Sequence, residues 1–229
     1  RILEAITLTK LFLFLTSFLI LLGENDPLTV GETLSYRASF RGINAAEASL
    51  KVIEKTVIEN DSAYHVRFLA KSKGPIHHLF PINDEINIWL DSKTFLPIKI
   101  HENIREGNFK KSREIYFNQK ESYAVVNDDT LNIDKNTQSP FSLFYFFRKN
   151  SIEDFRGETI TLIQNGKNIF LKLIVKENQK VIVPAGSFMC TEVSPVRKDN
   201  KKFKNKAELA IMFSNDKDQY PVKIRIKLK

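Results

Sequence analysis

The sequence predicts a mainly β protein: a strongly curved antiparallel sheet or half-barrel, built from two related β-meander halves, with one buried aromatic-rich helix near residues 139–149. Three observations carry that expectation. Most of the chain after Gly23 alternates apolar and polar residues with period two, the mark of half-buried antiparallel strands. A set of short segments recurs in the same order at a nearly constant offset. Between the two copies, one stretch drops the alternation and becomes almost wholly apolar.

The strands can be read in order. "TLSYRASF" puts Leu34, Tyr36, Ala38 and Phe40 on one face. "EINIWLD" puts Ile86, Ile88 and Leu90 on one face and Trp89 on the other. "QNGKN", with Asn165-Gly166 at its centre, is the best hairpin signal, because Asn-Gly accepts the positive φ angles of a tight two-residue turn. "KIRIKLK" sends Ile224, Ile226 and Leu228 inward and its Lys and Arg residues outward.

The exception is "SPFSLFYFFRKN", Ser139 to Asn150. Ser139 as N-cap and Pro140 at the first helical position make a sound helix start. At helical spacing Phe141, Phe144 and Tyr145 share one face, and Leu143, Phe146 and Phe147 another. A short helix apolar nearly all round has to be buried on several sides.

The recurring segments are "GETLSY" at Gly31 and "GETITL" at Gly157, "LKVI" at Leu50 and "LKLI" at Leu171, and "EINIWLD…LPIKI" from Glu85 and "ELAIMFSND…YPVKI" from Glu208. They define a pseudo-repeat of about 31–100 and 157–226 within a single β domain, 24–229. In each copy Asp-rich residues turn the chain, and a Pro opens the returning strand, where its missing N–H costs little. The motif is a hairpin corner, hence scaffold.

Residues 1–23 stand apart. A start carrying Arg1, Glu4 and Lys10, then "LFLFLTSFLILLG" without a charge, fits a secretory signal peptide or, alternatively, an uncleaved anchor. Either places the remainder outside the cytoplasm, most simply in a periplasm. The 42% hydrophobic, 27% charged and 11% aromatic composition of the 229 residues supplies a real core and excludes disorder. The net charge of +8 would suit nucleic acid, but export excludes that partner and leaves anionic envelope material. The lone cysteine, Cys190, alternates in step with Phe188 and reads as a small buried hydrophobe.

Five blocks carry a family likeness: "VGETLSYRASFRGINAAEASLKV", "IWLDSKTFLPIKI" followed by "REGNFKKSREIYF", "SPFSLFYFFR", "VPAGSFMCTEVSP" and "MFSNDKDQYPVKIRI". In this order they resemble the bacterial domain of unknown function 3108 family, over about Leu28 to Leu228. Ala46 departs from the Gly expected there. The resemblance implies an exported or envelope protein, largely β, with no catalytic residues to carry over. At fold level alone there is a likeness to the half-barrel of periplasmic lipoprotein carriers.

Chemistry is sparse. There is no nucleophile elbow, P-loop, dinucleotide fingerprint or Cys-x-x-Cys. His77 and His78 would point to opposite faces of a strand, and His65 and His101 sit on separate strands, so no metal or cofactor is expected. The acidic groups Asp128, Asp129, Asp134, Asp216 and Asp218 read as turn formers rather than a calcium loop. The run "RKDNKKFKNK", with Arg197, Lys198, Lys201, Lys202, Lys204 and Lys206, is either a solvated loop or a contact to anionic headgroups or polyanions. Phe141, Phe144, Tyr145 and Phe147 either fill the core or line an apolar cavity. The expected function is a non-catalytic envelope protein that binds or carries an apolar, lipid-like molecule in a half-barrel cavity. The alternative is a protein–protein interaction module with a solid core, and a hydrolase stands third.

Overall fold

The structure, a computed structural model, describes residues 28–227 apart from 41, 165 and 200–207. The segment 1–23 and Leu228 therefore lie outside the described residues. Eight strands follow one another as an antiparallel meander: β1 (Thr33–Phe40), β2 (Ile43–Ile58), β3 (Asp61–Ser72), β4 (Asn83–Asp91), β5 (Pro97–Glu106), β6 (Phe109–Asn118), β7 (Tyr123–Val126) and β8 (Asp129–Asn132). A second sheet repeats the plan with five: β9 (Thr159–Gln164), β10 (Lys167–Val183), β11 (Gly186–Arg197), β12 (Glu208–Ser214) and β13 (Pro221–Lys227). Helix α1 (Gly74–Leu79) joins β3 to β4. Helix α2 (Ser142–Lys149) and a 3-10 turn, Ile152–Phe155, occupy the passage between the sheets.

The mainly β character holds, but a single strongly curved sheet or half-barrel does not form. The strands divide into two separate open sheets, of eight and five strands, with no ladder among the described residues joining one to the other. The reason lies in the passage. After β8 the chain leaves its sheet, and among the described residues its backbone pairs with β9 through an isolated parallel bridge, Gln138 to Leu162, rather than a ladder before the second meander begins. Period-two alternation reports the pleat of each strand and says nothing about which strands share a sheet.

The recurring segments occupy matching places. Their pairs lie on β1 and β9, β2 and β10, and across β4–β5 and β12–β13. The two hairpin corners are built alike. The Asp91 carboxylate accepts the N–H groups of Lys93 and Thr94, and that of Asp216 accepts those of Asp218 and Gln219. Phe95 and Gln219, each two residues before the strand-opening proline, adopt positive φ, +59° and +45°. The register shifts at the same point in both, beside Leu90 and beside Phe213.

Two main cores result. One lies against the eight-stranded sheet and gathers Leu50, Val52, Tyr64, Val66, Ile86, Ile88, Leu90, Ile100 and Ile115. The other lies against the five-stranded sheet, around Leu162, Leu171, Leu173, Val193, Ile211 and Phe213. Helix α2 serves both. Tyr145 belongs to the first core, with Phe141 and Phe144 packed on it, while Leu143, Phe146 and Phe147 belong to the second. A small third cluster holds Cys190 with Val181, Ala210 and Met212, and Phe188 packs on it.

Candidate functional site

The start of α2 is set by a reciprocal pair of serines. The Ser142 N–H donates to Ser139 Oγ at 3.0 Å, and the Ser139 N–H donates to Ser142 Oγ at 2.8 Å. The pair has the reciprocal form of a capping box, but the α-helix begins at Ser142 with Phe141 at its N-cap, so the expected start, Ser139 as cap and Pro140 as first helical residue, falls two residues early. The Ser142 hydroxyl donates onward to Gln138 Oε1 at 2.7 Å. The Gln138 backbone pairs with β9, its N–H donating to Thr161 O and its carbonyl accepting from Ile163 N. The helix is thus fixed to the second sheet before its first turn.

Its rings pack against one another and against the sheets. Phe147, 1% exposed, meets Phe146, Phe155 and Phe213 edge-on, with centroids 5.7, 6.0 and 5.7 Å away. Phe141 lies 5.2 Å from Phe68 of β3. Of the four rings predicted to line a site, Tyr145 and Phe147 are buried in the two cores, and Phe141 and Phe144 are partly buried beside them.

The far end of the helix carries a charge that sequence reasoning passed over. Arg148 is 4% exposed, and its fork grips Glu32, just before β1, at 2.5 Å (Nη1 to Oε1) and 2.9 Å (Nη2 to Oε2). Its Nε donates to the Asp218 carbonyl in the β12–β13 corner at 3.1 Å, and the guanidinium lies 4.6 Å from the Tyr220 ring centroid. Burial, the largest single influence, works against the Arg148 charge, but the Glu32 hydrogen bonds and charge together with the Tyr145 and Tyr220 phenols outweigh it, and the pKa moves up. Burial also pushes the neighbouring Tyr36 and Tyr145 phenols well above their ordinary value. The Tyr36 hydroxyl donates to Pro221 O at 2.9 Å, tying β1 to β13. The Tyr145 hydroxyl finds no hydrogen-bond partner among the described residues. These groups make a clasp between the sheets.

Elsewhere the expected basic run is only partly described. Arg197 is engaged by Asp199 at 2.9 and 2.6 Å, the Lys198 N–H donates to Phe170 O, and Lys201, Lys202, Lys204 and Lys206 lie outside the described residues. His77 and His78 are on α1, not on a strand, and both are exposed. His65 stacks on Trp89 at 4.5 Å, and His101 is on β5. Among the described residues no three His, Cys, Asp or Glu side chains stand close enough to share an ion. A polar depression of about 380 Å³ opens beside the β12–β13 corner, lined by Ser151, Glu153, Thr191, Asn215, Asp216 and Lys217.

What the sequence did not disclose is a surface. Where the β1–β2, β3–β4 and β5–β6 connections meet at one end of the larger sheet, Ile43, Leu79, Phe80 and Phe109 are each about half or more exposed. In sequence they are indistinguishable from core residues.

The family model described as protein of unknown function (DUF3108) matches residues 35–229. In fold the chain is similar to the beta-barrel-like protein of domain of unknown function DUF1849 from Brucella abortus, with a TM-score of 0.50 and 11% identity over 86% of this chain and 94% of that one. At that identity the likeness concerns the fold alone. Among curated proteins nothing matches.

Proposed function

We propose, for a chain that belongs to the DUF3108 family, a binding role at the bacterial cell envelope, exercised by its surface and without catalysis. The charge-free apolar stretch Leu11–Gly23 supports export, and the family resemblance supports an envelope setting. The observation that carries the surface reading is the packing of α2. Its rings are shared between two cores and meet Phe68, Phe155 and Phe213 at contact distance, so they act as filling. Apolar side chains are instead offered to a partner at the turn end of the larger sheet.

Native mass spectrometry of the exported chain, purified without detergent, separates this reading from internal lipid carriage. The expected spectrum shows the bare mass, unchanged after incubation with lipid micelles. A reproducible lipid adduct that is lost in a folded Phe144→Asp variant would overturn the surface reading in favour of a carrier.

A further inference from the structure

The turn end of the larger sheet has a chemistry of its own. Helix α1 buries none of its residues, yet it carries Leu79, 81% exposed, and runs straight into Phe80, 48% exposed. Phe109 at the start of β6 and Ile43 at the start of β2 are 55% and 52% exposed. A soluble monomer seldom leaves large apolar side chains grouped in water without a use for them.

These side chains are presented by a held backbone. The Lys73 N–H donates to Ala45 O at 2.8 Å, and the Gly107 N–H donates to Pro81 O at 2.7 Å. The Ser72 hydroxyl accepts the Ile82 N–H and bonds His77 Nδ1, both at 2.8 Å, so the connection is closed across its base. The Phe80 ring lies over Gly107, where an added Cβ would stand 3.0 Å from ring carbon Cε2. Gly107 also sits at φ +56°, a conformation that glycine adopts freely.

Around them, among the described residues, stand four cations and three acids, the cations exposed. Arg105 and Lys110, both exposed, are direct cross-strand partners on β5 and β6. Like charges placed opposite one another weaken a sheet, so the pair makes sense where a negative group lies across it. Lys71 and Lys73 stand exposed at the end of β3. The acids near them are engaged: Glu47 pairs with Lys73, the buried Asp84 carboxylate accepts the Arg105 N–H, and Glu106 has an interaction of its own.

We propose that this end of the protein seats on an anionic lipid bilayer surface. Leu79, Phe80 and Phe109 enter the boundary between headgroups and acyl chains, and Arg105, Lys110 and Lys71 face the acidic headgroups. Exposed apolar anchors ringed by cations are what an interfacial lipid contact requires, because each half is weak alone and the two add. The proposal rests on the surface reading above and names its partner.

The test is flotation of the purified exported chain with vesicles of phosphatidylglycerol and phosphatidylethanolamine, against vesicles of phosphatidylcholine alone. Binding to the acidic vesicles is expected, falling steeply with salt. Arg105→Gln with Lys110→Gln should weaken it about thirty-fold. Leu79→Ser with Phe80→Ser should abolish it without moving the melting temperature, because neither side chain is part of a core. Failure to float with acidic vesicles at low salt overturns the proposal, as does binding indifferent to both pairs of substitutions. With a lipid-free native mass spectrum, that failure leaves the surface reading standing and points to an acidic protein as the occupant. A lipid adduct in the native spectrum sinks the surface reading itself.

Discussion

Arg148 and Glu32, 116 residues apart, meet in a two-pronged ion pair that joins the C-terminal turn of α2 to the foot of β1. Removing one partner of a buried pair strands the other's charge, which costs about 3–5 kcal/mol. Arg148→Met should therefore lower the unfolding free energy by about that much, and Arg148→Met with Glu32→Gln should recover most of it. Urea denaturation of both variants measures the difference. A double variant no more stable than the single would show that packing of the guanidinium, not its charge, holds the clasp.

Tyr145 buries a hydroxyl that has no hydrogen-bond partner among the described residues. An unmet buried donor is destabilising, so Tyr145→Phe should leave stability unchanged or raise it by up to about 1 kcal/mol. A loss of more than about 1 kcal/mol would mean that the hydroxyl is satisfied by a bound molecule, a water or a ligand.

Asp84 has its pKa raised above the ordinary 3.8, chiefly by burial, which outweighs the hydrogen bond from the Arg105 N–H. A carboxyl with a raised folded-state pKa contributes its stability below the unfolded value, and that contribution is lost as pH rises through the folded value. Asp84→Asn keeps the acceptor oxygen and removes the charge. It should stabilise the protein at pH 7 and flatten the decline in stability as pH climbs above 3.8. Thermal melts across that window would show parallel curves if the reasoning fails.

Cys190 is fully buried on β11, and burial, with Asp216 nearby, holds its thiol above the ordinary range. It should resist alkylation in the folded protein and react at an ordinary rate in urea. Labelling then becomes a clock for opening of the smaller sheet. Rapid modification under native conditions would contradict the packing around Met212 and Val181.

Much of this was legible locally. β1, β4 and β13 lie where alternation predicts them, although Ile226, expected inward, is 63% exposed, and Gly166, at φ +69°, turns β9 into β10 at the Asn-Gly signal. The two apolar faces read from the aromatic run, Phe141–Phe144–Tyr145 and Leu143–Phe146–Phe147, correspond to the two cores except at Phe144, which packs on both. The unread features were non-local or too short. Nothing near Arg148 announces Glu32, because the partner is supplied by tertiary packing. Nor does "GPIHHL" reach two helical turns, so its period is invisible and only Pro75 in the first turn hints at α1. Strand pleating cannot reveal that eight strands part company with five. The half-barrel expectation failed at that point.

The sharing of α2 also imposes an order of events. The core of the eight-stranded sheet, whose last strand ends at Asn132, is completed by Tyr145 and by Ile163 of the second sheet. A ribosome or translocase that has released the chain only as far as Asn132 has therefore delivered a sheet whose core still lacks Tyr145 and Ile163. Long-range closure of this kind slows folding and leaves sticky intermediates. For such a chain, when the aromatic helix emerges matters as much as where it docks.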